Sequence, residues 1–329
     1  MTESVIAILT HPFGRLIAAV VLTMAFVGAL GLVMVVVERN VAGFIQRRPG
    51  PFEVGPHGIL QSAADGGKLV GKQLVTPMGA DRLLFWAAPL LSLASAVVCF
   101  LPIPFSPVLT GMELNLGVVL VLTFSGLNTL ALCLAGWGSN NKYSLLGSAR
   151  AVSQSVAYEI PLLLAVLAIA FQTGSLNLST VAYEQSGGIL SWNVFTQPLA
   201  FFIFFVSGIA ETNRAPFDLP EAESELTAGF HTEYSGMGFG LFFLAEYSYM
   251  AVVCAVAVSL FLGGWSGPFL PGPWWFMAKM SGLLFVMVWF RWTFPRVRFD
   301  QLLNVCWKWL IPLGLGNLVV TALILTVAG

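Results

Sequence analysis

The residues of this chain best suited to chemistry are acids. From Glu211 to Glu246 the sequence carries Glu211, Asp218, Glu221, Glu223, Glu225, Glu233 and Glu246, nearly half of its 16 carboxylates, with Arg214 as the one strong base among them. Membrane-grade apolar sequence lies on both sides. Carboxylates held beside hydrocarbon are costly and therefore mark paths for ions or protons. On a helix Glu221 and Glu225 share a face; on an extended chain Glu221, Glu223 and Glu225 share a side. Like charges this close cannot all ionise cheaply, so the group is expected to share protons. The competing reading is a solvated acidic loop. Two features weigh against it. The run Thr212-Asn213-Arg214-Ala215-Pro216-Phe217-Asp218 mixes apolar and charged residues as a packed loop does. Glu246 continues the acids into the next apolar run, beside Tyr247 and Tyr249.

A second acid, Glu159, follows Arg150 and Gln154 in the run Gly147–Leu164, which leads into apolar sequence. Gln154, Tyr158 and Pro161 fall near one helix face. Glu159 either pairs with a base from a neighbouring helix or relays protons. Cys99, Cys133, Cys254 and Cys306 lie far apart, and His11, His57 and His231 do not pair on a helix face. No metal, haem or iron–sulfur site is read from these residues. Electrons, if the chain takes part in redox chemistry, are expected from another subunit.

These groups need a scaffold, and the composition says which kind. Of the 329 residues 57% are hydrophobic and 9% charged, against about 25% charged in soluble domains. The expectation is a single all-α, polytopic membrane domain over 1–329. The net charge of −1 gives no basic surface for nucleic acid, and the first residues show no removable signal peptide. A bilayer core needs about 20 apolar residues per helix. Eight segments qualify: 16–37, 83–102, 116–135, 157–172, 197–210, 237–262, 276–294 and 308–327. The fourth and fifth are short as written, so they either extend toward Val152 and Trp192 or sit within protein. Twelve of the 15 Lys and Arg residues fall in or beside the first, third, fifth and seventh connections. The positive-inside rule then puts those connections in the cytoplasm and both termini on the other side. The long charged connections, 38–82 and 211–236, form one working face. No repeat of inverted halves is read, which argues against a secondary transporter of that type.

In the first connection Pro49-Gly50-Pro51 and Gly55-Pro56 force turns. Ile59, Leu60, Ala63, Leu69 and Val70 then recur near helical spacing among Gln61, Asp65, Lys68 and Lys72, which predicts an amphipathic helix in the membrane surface. Asp65 and Lys68 are three residues apart and so able to pair. That helix is either a plain anchor or the lip of a site for a lipid-soluble ligand arriving from the bilayer. In the seventh connection Arg291, Arg296 and Arg298 accompany Asp300, as orientation anchors or as counter-charges to the acids.

Together these four segments resemble the quinone-site membrane subunit of respiratory complex I, a family with bacterial and mitochondrial members. The most specific residues are Glu211-Thr212-Asn213-Arg214, Pro216-Phe217-Asp218, Glu221, Glu223-Ser224-Glu225-Leu226, Gly229-Phe230 and Glu233-Tyr234. The resemblance spans the whole chain. It implies a quinone chamber at Glu38, Arg39, Gln46, Arg48, Asp65, Lys68 and Phe230, built jointly with peripheral iron–sulfur and quinone-pocket subunits. It implies a proton path at Glu159, Asp218, Glu221, Glu223, Glu225, Glu233 and Glu246. Ion pairs in the loops are expected from Arg150, Arg214, Arg291, Arg296, Arg298 and Asp300. Ubiquinone or menaquinone would be the substrate, with flavin and iron–sulfur clusters in partner subunits and no cofactor held by this chain. The location implied is the bacterial inner membrane, beside other membrane-arm subunits. The sequence departs from the family at Asn40, Phe52 and Gln73, where Lys, Asn and Glu are common, which bears on quinone preference or docking at the chamber rim.

The expected function is thus that of one component of a proton-pumping NAD(P)H- or ferredoxin-type quinone oxidoreductase, inactive alone. The alternatives are the membrane anchor of an energy-converting hydrogenase or formate hydrogenlyase, a stand-alone cation/proton transporter, and a purely structural anchor.

Overall fold

The computed structural model describes residues 12–220 and 227–328. Among them every regular element is helical: α1 (Pro12–Ile45), α2 (Gln61–Gly71), α3 (Arg82–Phe100), α4 (Gly117–Gly138), α5 (Lys142–Thr173), α6 (Leu178–Glu184), α7 (Asn193–Thr196), α8 (Pro198–Glu211), α9 (Gly236–Phe261), α10 (Pro273–Thr293), α11 (Phe299–Val305) and α12 (Ile311–Ala328), the last two joined through a π turn at Cys306–Leu310. Seven helices are long and apolar enough to cross a membrane, with α11, the π turn and α12 counting as one; α8 is a shorter apolar helix. Each of the eight apolar segments read from the sequence thus lies on a helix. The fourth extends back beyond Val152, to Lys142. The fifth does not reach Trp192: Asn193–Thr196 is a separate turn, and α8 keeps 14 residues. At 1.5 Å per residue α8 spans about 21 Å, short of a hydrocarbon core of about 30 Å. Most of it stands against protein, with Ala200, Ile203, Phe204, Ser207, Gly208, Ile209 and Ala210 buried, while Phe202 faces outward.

The core forms around α9, whose most apolar stretch is 78% buried; it packs on α1, α3, α8 and α10. Helices α3, α4 and α5 pack side by side, with α8 and α12 against α5. The predicted surface helix is α2, lying across α1 and α9 at the end of the bundle that carries the long connections.

Prolines inside two helices show how the fold settles its own breaks. A proline lacks the N–H that would bond the carbonyl four residues earlier. Pro89 in α3 frees the Phe85 carbonyl, which accepts the Tyr234 hydroxyl at 3.0 Å. Pro161 in α5 frees the Ala157 carbonyl, which accepts the Cys306 thiol at 3.0 Å. Cys306 opens the π turn, and the Tyr158 hydroxyl donates to the Leu302 carbonyl at 2.9 Å one turn before it. Helix starts are capped by side chains: Asp81 accepts from the Leu83 N–H at 3.0 Å, and Asn141 from the Tyr143 N–H at 2.9 Å. Gly147 lets residues 229–230 lie directly on α5, since a Cβ there would stand 2.7 Å from the Gly229 Cα.

Candidate functional site

Glu38 and Arg39 are neighbours on α1, and helical geometry sends them in different directions. Arg39 points outward and meets Asp65 on α2 at 2.5 Å, with the Gln61 amide 3.0 Å from the same carboxylate. The hydrogen bond from Arg39 holds the Asp65 carboxyl below its ordinary range. The pairing of Asp65 with Lys68 expected from their spacing is thus replaced by Arg39, from another helix; Lys68 is exposed and adds only a distant positive charge. Beside this pair lies an open cleft of about 690 Å³ lined by Arg39, Arg48, Pro51, Phe52, Glu53 and Gln61. Gln46 is exposed and accepts from Arg48 Nε at 2.6 Å. Phe52, one of the three departures from the family, is on the cleft wall.

Glu38 points inward and is 5% exposed. One carboxylate oxygen meets Arg291 of α10; the other accepts the Tyr247 hydroxyl of α9 at 2.5 Å and lies 3.9 Å from Arg214. Arg214, also buried, is 2.9 Å from Glu246 and stands over the Tyr247 ring at 4.4 Å and the Phe243 ring at 5.7 Å. Four separate elements therefore supply one buried ionic network. Its charges compensate locally, as burial requires.

The loop that carries Arg214 is packed rather than solvated. Gln154 of α5, itself buried, donates to the Ala210 and Phe217 carbonyls at 2.7 and 2.8 Å. The Val297 N–H donates to the Pro216 carbonyl at 2.9 Å, and Arg296 reaches Asp218 at 3.5 Å. Arg291 and Arg296 thus act as counter-charges to the acids, one of the two roles open from sequence. Arg298 pairs at 3.5 Å with Asp300 in an exposed position.

Two small cavities continue from the network into the bundle. One, about 20 Å³, is lined by Glu246, His231, Phe230, Asn213, Thr212, Glu211, Asn128 and Ser92 among others. The second, about 30 Å³, shares Glu211, Thr212, Asn128 and Tyr249 with the first and adds Ser125. Both have room for water, which needs roughly 10–15 Å³ on the same measure. Ser125 shares the second cavity with Glu211, its hydroxyl donating to the Leu122 carbonyl at 2.9 Å, and Glu159 is close enough to act on Glu211 electrostatically. Glu159 itself lies against Gly126 of α4. Hydroxyls extend the line: Ser92 donates to Asn128 at 2.7 Å, and the Tyr249 oxygen is 2.7 Å from Ser95.

The sequence-predicted residues therefore fall into groups. Arg39, Arg48 and Asp65 gather at the cleft with Gln46 nearby, whereas Glu38 joins the buried network. Phe230 is in the aromatic cluster with Phe85, Tyr234 and Phe242, beside the inner cavity and not at the cleft. Burial raises the Tyr234 phenol there. Glu233 accepts from the Asn141 amide at 2.5 Å, linking the loop to the start of α5. Arg150 is half-buried on α5. Glu221, Glu223 and Glu225 lie outside the described residues. Sequence reasoning counted Glu211 in the acid cluster but left it out of the proton path, and passed over Tyr247, Tyr249, Asn128 and Ser125 as site residues. For Glu211 a signal existed, since it closes an apolar run as Glu159 and Glu246 interrupt theirs. Asn128 and Ser125 carry no signal without the helix faces.

A bundle of long apolar helices that encloses ion pairs and water-sized polar cavities is an integral membrane protein. Residues 17–322 match the model of the NADH dehydrogenase family. The H subunit of the NADH-quinone oxidoreductase of Desulfotalea psychrophila is 48% identical over 319 residues, covering 94% of this chain and 96% of its own. The corresponding proteins of Dehalococcoides mccartyi strain CBDB1 (44% over 314 residues; 95% and 88% covered) and Geobacillus sp. strain WCH70 (46% over 295 residues; 88% of each) are similar throughout. The chain belongs to this family.

Proposed function

We propose that this chain is the membrane component of an NADH-quinone oxidoreductase that forms part of the quinone chamber and begins the proton path driven by quinone reduction. Its partners are the peripheral iron–sulfur and quinone-pocket subunits on the cytoplasmic face and the adjoining membrane-arm subunits, in the bacterial inner membrane with both termini on the non-cytoplasmic side. The observation that carries the reading is the continuity of the polar groups. A cleft at Arg39 stands back to back with the Glu38–Arg214–Glu246 network, which adjoins the cavities of Glu211, a carboxyl within electrostatic reach of Glu159.

Quinone reduction consumes two electrons and two protons per headgroup. The electrons arrive from iron–sulfur clusters in partner subunits. This chain's part is to hold the headgroup near Arg39 and Arg48 and to respond to its charge. A unit charge about 8 Å away, at an effective dielectric of about 20, acts on a carboxylate with about 2 kcal/mol. That exceeds the roughly 1.36 kcal/mol that moves a carboxyl by one pH unit, so a headgroup charge at that range of the network is sufficient to shift a proton there, and the change passes in turn to Glu211 and Glu159. Asp218 and Glu233, with Glu221, Glu223 and Glu225, supply the loop's share of the same acidic store.

Glu159→Gln, Glu211→Gln and Glu225→Gln in the assembled complex test this. Quinone reductase turnover and proton pumping should fall together, while NADH oxidation by a water-soluble acceptor ahead of the quinone continues. Wild-type turnover and pumping in all three would remove the relay role.

A further inference from the structure

The cavity that holds Glu211 is polar on one side only. Toward the end of the bundle opposite the cleft its lining is Val118, Val121, Val252, Val253, Val256 and Phe204. Val118 is in the first turn of α4, and its N–H bonds the Leu176 carbonyl in the connection that follows α5. A thin apolar layer therefore separates a polar cavity from the far face.

Just past that layer α9 ends, at Phe261, about 8 Å beyond Val256 at helical rise. The end is closed by a lysine. Lys279 of α10 donates from Nζ to the carbonyls of Leu262 (2.5 Å), Gly264 (3.1 Å) and Ser266 (2.5 Å), and stands 4.1 Å from the centre of the Trp192 ring. An ammonium has three donors, and this cage uses all of them. Among the described residues no carboxylate lies within ion-pair distance of Lys279. Its charge is met by carbonyl dipoles at a helix C-terminus and by an aromatic face. Arg214 and Arg291, in contrast, are held by acids. Gln185 and Asn193 fix the cage: Gln185 accepts the Gly263 N–H at 3.0 Å, and Asn193 donates to the Leu260 carbonyl at 2.8 Å.

We propose that Lys279 is a tethered cation which, with the valine layer, seals the Glu211 cavity against protons from the non-cytoplasmic side. A positive charge beyond the valine layer raises the barrier for a proton or other cation approaching the cavity from that side. The inference rests on the proton-path reading above, and its test separates the two.

The intact complex, reconstituted in liposomes, is held without substrate while an entrapped pH dye reports passive proton influx. Lys279→Ala should leak roughly fifteenfold faster than wild type, the factor for losing a unit charge roughly 10 Å from the valine layer at an effective dielectric of about 20. Lys279→Arg should stay tight, and ethylammonium added to Lys279→Ala should slow the leak by occupying the carbonyl cage. A tight Lys279→Ala complex overturns the proposal. Should that variant fail to assemble, Val256→Asp breaches the layer itself: leakage supports the seal and tightness overturns it. Glu211→Gln added to a leaky variant then tells the two readings apart. If the leak persists, the seal stands and the path through Glu211 fails. If both seal variants are tight while Glu211→Gln abolishes pumping, the path stands and the seal fails.

Discussion

Tyr247→Phe probes the buried network with the least disturbance. The phenol donates to Glu38 at 2.5 Å, while its ring carries Arg214 at 4.4 Å and packs against Phe243 at 4.9 Å. Removing the hydroxyl leaves the ring, the cation–π contact and both arginines in place. What is lost is one hydrogen bond to a charged acceptor, about 1.5–3 kcal/mol. Glu38 keeps Arg291 and Arg214, so the carboxylate is not stranded and the fold should survive. If charge moves through Glu38 during the slow step of turnover, the loss appears as a rate. At about 1.36 kcal/mol per factor of ten, the ceiling is a fall of about ten- to a hundredfold. If the bond is equally present throughout the cycle, the rate is untouched.

The assay is NADH-driven quinone reduction and proton uptake in membrane vesicles, with electron delivery to a soluble acceptor as the control for assembly. Turnover should drop while the control holds, and Glu38→Ala with Tyr247→Phe should be no worse than Glu38→Ala alone, since Glu38→Ala already removes the acceptor of the Tyr247 hydroxyl. A Tyr247→Phe complex that assembles, turns over and pumps as wild type would refute the view that this network responds to the quinone.

Gln154→Ala leaves the Phe217 carbonyl without its donor, while the Ala210 carbonyl keeps the Asn213 N–H; at about 1–3 kcal/mol for one buried group, it should destabilise the Arg214 loop and lower the melting temperature of the complex, read by thermal shift. The Arg39–Asp65 pair should give a mild acid sensitivity. The Asp65 carboxyl is lowered in the folded state, so its contribution is complete above the unfolded carboxylate range and disappears as pH falls through the depressed folded value. With Arg39 exposed, that contribution is about 0–1 kcal/mol, and Asp65→Asn should abolish the acid-side change in docking of α2, measured by hydrogen exchange of residues 61–71.

The membrane class, the surface helix and the acids around Arg214 were legible because each leaves a local mark: run length, helical spacing, or a charge where hydrocarbon is expected. Partner choice was not. Asp65 and Lys68 satisfy the helical spacing rule, yet Arg39 takes the carboxylate because α2 lies across α1, a tertiary fact. Phe230 was drawn to the chamber by resemblance, whereas Gly147 allows its loop to sit on α5, by the inner cavity. Helix α8 shows why run length fails in one direction: a buried helix is relieved of the need to match the bilayer, because its ends meet protein. Lys279 went unremarked in the sequence because its acceptors are backbone carbonyls, which no side-chain pattern announces.

Replacing a buried ion pair with apolar residues of similar volume is often neutral or stabilising, so fold stability alone gives little reason for Glu38, Arg214, Glu246 and Arg291 to meet inside this bundle. Their placement gives a better one. Glu38 belongs to the network and Arg39 to the cleft, and the two are adjacent residues of one helix, with no flexible joint between them. A ligand that pulls on Arg39, or frees Asp65 from it, acts on the same turn of α1 that presents Glu38 to Tyr247, Arg214 and Arg291. Arg214 stands between Glu38 and Glu246, 3.9 Å from one and 2.9 Å from the other, so in the coupling we propose a shift of α1 that lengthened the Glu38–Arg291 contact would leave Arg214 as the alternative partner of Glu38. The proposed coupling would then rest on two ways of distributing the same charges, separated by a small motion of a rigid element.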